Sequence, residues 1–224
     1  WNWDTWFMVA NFGWKASVAV VFNAASAMWL FRKELGHLAD LPAQQEASVP
    51  WPVVLVHLLF LVLVVVFAHH PVVFLGLFLF FLGFATAYQR HQNPLILREA
   101  LLVAFFLSGL VVLGGLQQWW LEPVLMGMDA NTVYFGATAL TAITDNAALT
   151  YLGSLVEGLS EEFKTALVAG AVTGGGLTLI ANAPNPAGAA ILKDKFSEGA
   201  IQPLGLLIAA LPPTWVAILA FRML

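Results

Sequence analysis

The chain contains no cysteine and few charged residues. The absence of cysteine from its 224 residues excludes disulfides, thiolate metal sites and a cysteine nucleophile. Charged residues make up 10% of the chain, against roughly 25% in soluble domains. The net charge of −4 comes without a basic tract, so nucleic acid is not expected as a partner. Trp1 begins the chain without a signal-peptide pattern, and we expect the chain to be a fragment of a longer protein.

Long apolar runs make up much of the sequence. Hydrophobic residues make up 60% of the sequence, and several runs are long enough to cross about 30 Å of hydrocarbon. The sequence therefore predicts an all-α polytopic membrane protein. An interfacial loop is expected over 118–131, and "LPP" at 211–213 is expected to kink the last span. The predicted spans cover 14–31, 51–68, 71–89, 95–117 and 200–222.

Two further apolar stretches are interrupted by polar or helix-breaking residues. The stretch 132–157 has Asp145 and Asn146 at its centre, and the stretch 161–192 is broken by "TGGGLTLIANAPNPAG" at 173–188. Non-helical backbone at membrane depth is tolerated only where protein or a water-filled cavity satisfies its polar groups. Pro184 and Pro186 are the expected helix-breaking residues, with unwinding near 181–187. Such interrupted segments are typical of secondary transporters.

The placement of Lys and Arg predicts the orientation. If the basic loops lie in the cytoplasm, Trp1 and the C-terminus lie outside, and 132–157 must enter and leave the membrane on one side. This stretch is therefore predicted to be a re-entrant hairpin with its tip near Asp145 and Asn146. We expect an integral protein of the bacterial inner membrane. The basic residues that set this orientation are Arg32, Lys33, Arg90, Arg98, Lys193 and Lys195.

A membrane-embedded carboxylate needs compensation, and Asp145 is the titratable residue within the two interruptions. Backbone carbonyls, hydroxyls and amide oxygens are ligands for hard cations, and the second interruption supplies Thr178, Asn182 and Asn185. Asp145 is therefore predicted to bind a monovalent cation and a proton in alternation, which couples their movements. Two simpler interpretations stay open. Asp145 could cap a helix in a short turn, and "NAPNP" could be an ordinary loop.

At these two motifs the chain resembles the ion transporter superfamily, which includes arsenite permeases and NhaD-type sodium/proton antiporters. The similarity covers roughly residues 130–195, through "LTAITDNAALT" at 140–150 and "GGGLTLIANAPNPAG" at 174–188. It implies sodium/proton antiport with Na⁺ and H⁺ as transported ions and no required cofactor. The ion-binding residues that the resemblance implies are Thr141, Thr144, Asp145, Asn146, Gly174, Gly175, Gly176, Thr178, Asn182 and Asn185.

The resemblance also implies two inverted repeats, of which this chain looks like the second, C-terminal one. The expected partners are therefore the lipid bilayer, a missing N-terminal half or a second copy of the chain, and a larger membrane complex. An elevator-like motion of the hairpin and broken helix against a scaffold is implied as well. The expected organisation is a first segment at 1–50, a three-span scaffold at 51–118, a transport core at 119–199 and a final span at 200–224.

His57 supports an alternative function. It lies inside an otherwise apolar span, where a hydrogen bond to a neighbouring helix and axial ligation of a haem or chlorophyll-type pigment are both open. The second possibility makes the chain a non-transporting accessory or scaffold subunit with a bound tetrapyrrole. An enzyme is not expected, because the sequence has no nucleophile elbow and no metal-binding His pair at helical spacing.

Overall fold

A computed structural model describes residues 1–39, 49–92, 94–196 and 199–224. Every regular element in these ranges is helical, which confirms the all-α part of the predicted fold class. Residues 40–48 of the expected first segment at 1–50 lie outside the described residues. The α-helices are α1 Thr5–Met8, α2 Trp14–Leu30, α3 Arg32–Ala39, α4 Trp51–Val66, α5 Pro71–Ala87, α6 Leu97–Gly114, α7 Gln118–Met126, α8 Ala130–Thr141, α9 Asn146–Ser154, α10 Glu161–Gly174, α11 Asn185–Leu192 and α12 Pro203–Met223.

Among the described residues, two helical stretches are long and apolar enough to cross a membrane. They are Ala100–Met126, with 27 residues, and Pro203–Met223, with 21 residues. Most of their side chains are exposed in the protein, as expected for helices that face lipid rather than a soluble core. α4 and α5 are equally apolar but have 16 and 17 residues. Exposed apolar helices of this kind are typical of an integral membrane protein.

The predicted loop at 118–131 is wrong over most of its length. A 3₁₀ turn at Gly115–Gln117 joins α6 directly to α7, and Pro123 lies inside α7. Gln118, the first residue of the predicted loop, begins α7. The double proline of the last span lies inside α12, which is continuous through Pro212 and Pro213, and the kink expected there stays a prediction.

The chain forms two compact units, of which the smaller comprises residues 39–96. Its helices α4 and α5 each have a proline in the first turn. Backbone N–H groups in the first turn have no acceptor within the helix, so proline, which lacks this N–H, costs no hydrogen bond there. They pack through aromatic rings, and Phe60 lies 5.4 Å from Phe81 and 6.1 Å from Phe84 between ring centroids. α6 belongs to the larger unit.

The larger unit comprises residues 1–38 and 97–224, and its core lies between α8 and α10. Gly170 and Gly174 form a Gly-x-x-x-Gly pair on α10, the spacing that lets two helices approach closely in membranes. A Cβ at Gly170 would collide with the carbonyl oxygen of Tyr134, and one at Gly174 with that of Thr138. α8 and α10 therefore pack backbone against backbone.

This close packing determines where the two interruptions lie. α8 ends at Thr141, and α10 ends at Gly174, whose Cβ position is 2.8 Å from the Cβ atom of Thr141. The two helices therefore terminate at the same level. The chain leaves α8 through residues 142–145 before α9, and it leaves α10 through residues 175–184 before α11.

Candidate functional site

The two interruptions lie side by side in the larger unit. The backbone N–H of Asn146 donates to the carbonyl oxygen of Ala181 at 3.1 Å. The hydroxyl of Thr178 donates to the carbonyl oxygen of Ala142 at 2.7 Å. The first interruption donates one of these hydrogen bonds and the second donates the other. Each interruption therefore satisfies a backbone polar group of the other. Ala181 is fully buried at this junction.

Asp145 is buried at the junction, with a relative exposure of 7%. Its Oδ1 atom accepts hydrogen bonds from the N–H groups of Ala147 at 2.8 Å and Ala148 at 3.1 Å. Asp145 therefore caps α9, as the simpler interpretation held. Within the described part of the chain, Oδ2 accepts no hydrogen bond. One oxygen thus holds the helix, and the other remains available for a ligand.

Helix ends contribute further negative potential here. α8 and α10 both end at this junction. The last turn of a helix presents carbonyl oxygens and the negative end of the helix dipole. Turn N–H groups satisfy some of these oxygens, since Leu140 accepts from Ile143 and Thr144, and Gly174 accepts from Leu177. The junction therefore joins the C-terminal ends of α8 and α10 with the N-terminal end of α9, which Asp145 caps.

The asparagines of the second interruption have different roles. The side-chain amide of Asn185 donates to the carbonyl oxygens of Gly175 at 2.8 Å and Thr178 at 2.9 Å. It therefore closes the irregular segment onto itself. Asn182 follows Ala181 directly, and its side chain makes no hydrogen bond to any residue that the structure describes. The Asn146 amide nitrogen lies 3.2 Å from the Cβ position of Gly175.

The threonines and glycines fall into two groups. Thr141 is fully buried and donates to the carbonyl oxygen of Ala137 at 2.7 Å, whereas half-buried Thr144 donates to that of Leu140 at 2.8 Å. These two hydroxyls donate to carbonyl oxygens of α8, whereas the Thr178 hydroxyl donates to a carbonyl oxygen of the first interruption. Gly174 and Gly175 are buried at the junction, and Gly176 is exposed with open space at its Cβ position.

The second interruption begins earlier than the expected unwinding at 181–187. Helix geometry ends at Gly174 and resumes at Asn185, so the glycines rather than the prolines mark its start. Pro184 is the residue before α11, and Pro186 lies in the first turn of that helix. Proline is favourable at the start of a helix, so Pro186 begins α11 rather than interrupting one.

Three buried polar residues of the α8–α10 interface were not among the predicted site residues. The hydroxyls of Tyr134 and Thr173 are 3.0 Å apart, and the Thr138 hydroxyl donates to the carbonyl oxygens of Tyr134 and Gly170. The four-residue spacing between Tyr134 and Thr138 is the sequence signal that places both on one face of α8. These bonds hold the pair of helices from which both interruptions emerge.

Two carboxylates outside the membrane-spanning helices remain charged to low pH. Hydrogen bonds from the Thr132 backbone N–H and hydroxyl lower the pKa of Asp129, which caps α8. A hydrogen bond from Lys164 lowers the pKa of Glu161. Neither residue belongs to a larger acidic cluster, because the described residues contain no group of three His, Asp or Glu side chains suited to a metal ion.

Replacing Asn185 by Ala should destabilise the second interruption, because two carbonyl oxygens lose their donor. Each unsatisfied buried acceptor costs about 1–3 kcal/mol, and the free energy of unfolding in detergent should fall by about 2 kcal/mol. The matched control is Asn182→Ala, which removes no hydrogen bond from the described part of the chain. Thermal unfolding should separate the two variants, and equal melting temperatures would contradict this role of Asn185.

His57 occupies both of its ring nitrogens inside the smaller unit. Nδ1 lies 2.8 Å from the carbonyl oxygen of Val53, and Nε2 lies 2.7 Å from Oε1 of Gln92. The rings of Phe81 and Phe84 lie edge-on at 5.6 Å. An axial bond to a tetrapyrrole would require one of these hydrogen bonds to break. The hydrogen-bonding role proposed for His57 therefore fits this environment better than metal ligation.

One comparison with known proteins matches the whole chain. No curated protein and no solved structure matches the chain. The sequence profile of one family, described as "Putative Na+/H+ antiporter", matches residues 1–224. This match extends beyond the two motifs to the whole sequence. The chain therefore belongs to this Na⁺/H⁺ antiporter family.

Proposed function

We propose that the chain exchanges Na⁺ for H⁺ at a site centred on Asp145. Family membership makes it a transporter rather than an enzyme. The observation that carries the site assignment is the environment of this carboxylate, which is buried beside a second backbone interruption and keeps Oδ2 without a hydrogen bond in the described part of the chain. A carboxylate so placed has room for one cation or one proton.

Oxygen atoms from both interruptions would complete the cation site. Asn182 is next to Ala181, which receives the Asn146 N–H, so its amide lies in the segment that meets the Asp145 turn. Thr178 and Asn146 contribute further oxygens, and the ends of α8 and α10 add carbonyl groups. Neutral oxygens with one carboxylate suit a monovalent hard cation. The fully buried Thr141 and the back-bonded Thr144 act by shaping the end of α8.

The interrupted helices form a transport core, and 132–157 is a re-entrant hairpin under this proposal. Its two helices, α8 and α9, are 12 and 9 residues long. At about 1.5 Å per residue, neither spans a hydrocarbon core of about 30 Å alone. The proposed transport core comprises residues 119–199, and the proposed scaffold comprises residues 51–118. Both belong to the C-terminal one of two proposed inverted repeats. The inner membrane of a bacterium, with the C-terminus outside, is the proposed location.

Competition between Na⁺ and H⁺ for one carboxylate gives a direct test. Adding Na⁺ to the purified chain in weakly buffered detergent should release protons, because the cation binds the deprotonated form. On the acidic side, the apparent Kd for Na⁺ should rise by about tenfold for each pH unit. A pH indicator dye and sodium titration calorimetry measure these two quantities. Potassium chloride at equal ionic strength is the control for salt effects.

The result that would overturn the proposal is sodium binding without proton release over the whole pH range. The chain as described provides Asp145 as the titratable group of this junction. A pH-independent Kd would therefore place the cation away from Asp145. Binding is measured rather than flux because it does not require the other expected repeat to be present.

A further inference from the structure

A cavity of about 380 Å³ opens in the larger unit at the end opposite the junction. It lies where α8 and α10 begin and where α12 ends, whereas the junction lies where α8 and α10 end. Three phenylalanine side chains, Phe7, Phe12 and Phe221, contribute to its wall. The cavity has the size of a small-ligand site, and its wall offers apolar surface on one side.

Charged side chains of both signs line the same cavity. Arg222 donates to the side-chain oxygen of Asn131, and its guanidinium lies 5.3 Å from the ring centre of Tyr134. Lys15 is half-buried, with its ammonium 5.6 Å from the ring centre of Trp14. Within the described ranges, neither cation has a carboxylate within 4.0 Å. The two cations therefore retain their capacity to bind an anion.

The two acidic residues of the cavity differ in availability. Glu161 is held by Lys164 at 2.6 Å, so this pair neutralises itself. Glu162 forms no such pair with any described residue. The available charges are thus two cations and one carboxylate. This set suits a ligand that carries an anionic group and, a few ångströms away, a hydrogen-bond donor or cation.

The cavity also lies where lipid head groups are expected. Trp3 packs against Phe7 and Phe12, and Trp1 packs against Trp3. Trp6 and Trp14 are exposed nearby in sequence. Tryptophan concentrates at membrane–water interfaces, and the adjoining helix ends carry polar caps at Asp129 and Ser160. A lipid in the adjacent leaflet could therefore reach the cavity.

We propose that this cavity binds the head group of phosphatidylethanolamine. The phosphodiester lies between Lys15 and Arg222, the ammonium donates to Glu162, and the first methylene groups of the acyl chains contact the aromatic wall. Lys15 and Arg222 would repel Na⁺, which argues against an ion entrance. Inorganic phosphate would leave Glu162 and the aromatic wall unused. The proposal does not depend on Asp145 or on transport.

Native mass spectrometry of the chain from micelles doped with equal amounts of three lipids tests the proposal. Phosphatidylethanolamine should be retained more than phosphatidylcholine, whose quaternary ammonium has no hydrogen to donate to Glu162. Losing one charge-assisted hydrogen bond should weaken retention of phosphatidylethanolamine by about tenfold in Arg222→Gln and in Lys15→Gln. Glu162→Gln should reduce the preference for phosphatidylethanolamine over phosphatidylglycerol, the third lipid.

The matched control is Arg32→Gln, because Arg32 also lies over a tryptophan ring, at 5.0 Å from Trp29, but outside the cavity. It should leave lipid retention unchanged. Arg222 also donates a hydrogen bond to Asn131, so Arg222→Gln could fail to fold. In that case Lys15→Gln provides the test. Equal retention of all three lipids by the unmodified chain would overturn the proposal. Displacement by soluble glycerophosphoethanolamine as effectively as by the lipid would overturn the lipid as the ligand.

Discussion

Replacing Asp145 by Asn should abolish Na⁺-dependent proton release and reduce sodium affinity by more than about 100-fold. A unit charge about 4 Å from a cation contributes about 4 kcal/mol at an effective dielectric constant of 20, and each 1.4 kcal/mol is about a factor of ten in affinity. Asparagine caps helices about as well as aspartate. The Oδ1 bonds to Ala147 and Ala148 can therefore persist, and the variant should remain folded.

Asp129→Asn is the matched control for this experiment. Asp129 also caps a helix, by accepting the Thr132 N–H at 2.8 Å, but it is exposed and lies at the opposite end of α8. The control removes the same charge while keeping the same type of cap, and it should leave sodium binding unchanged. Calorimetry and dye measurements on both variants, with melting temperatures as the folding check, provide the comparison. Normal proton release by Asp145→Asn would refute the role assigned to this carboxylate.

Gly170→Ala should produce the largest loss of stability. Its Cβ would meet the backbone carbonyl of Tyr134 and approach the Cβ of Ala137. Backbone cannot rotate away as a side chain can, so α8 and α10 would have to separate. Overpacking of this kind costs about 3 kcal/mol, and separation would also weaken the Thr138 bond to Gly170. We expect a lower melting temperature and aggregation in detergent, measured by scanning fluorimetry and size-exclusion chromatography.

Gly136→Ala provides the comparison within the same pair of helices. Nothing lies within 4 Å of its Cβ position, and Ala stabilises a helix interior by up to about 1 kcal/mol relative to Gly. The control should therefore be neutral or slightly stabilising. Equal losses in the two variants would mean that the close approach of Gly170 to Tyr134 does not determine the effect.

The sequence placed the first interruption at Asp145 and the second within 173–188 because their chemistry is local, although the second begins earlier than the expected unwinding at 181–187. Asp145 follows an apolar stretch and precedes a helical one, which is the pattern of an N-cap, and the Gly174–Gly176 run marks the end of α10. It also predicted that the two interruptions share a site, although the contacts between Asn146 and Ala181 depend on tertiary packing. The spacing of Gly170 and Gly174 explains this packing, but the sequence alone does not reveal which helix lies opposite.

Other details could not be predicted because they depend on competition between local and tertiary preferences. Gln117 and Gln118 lie within a continuous helical stretch, since an amphipathic or interfacial position tolerates polar residues that also favour loops. Asn182 and Asn185 have identical side chains three positions apart, yet only Asn185 reaches two carbonyl oxygens. Which amide stabilises the backbone and which remains available to an ion is decided by the path of the irregular segment.

The paired contacts between the interruptions restrict how the protein can change shape. The Thr178–Ala142 and Asn146–Ala181 bonds join the segments in opposite directions, so neither segment can move away alone without breaking both hydrogen bonds. Opening by a local hinge is therefore unfavourable. An ion bound at this junction would be moved by displacing the connected helices together. The surrounding lipid would then deform to accommodate that movement.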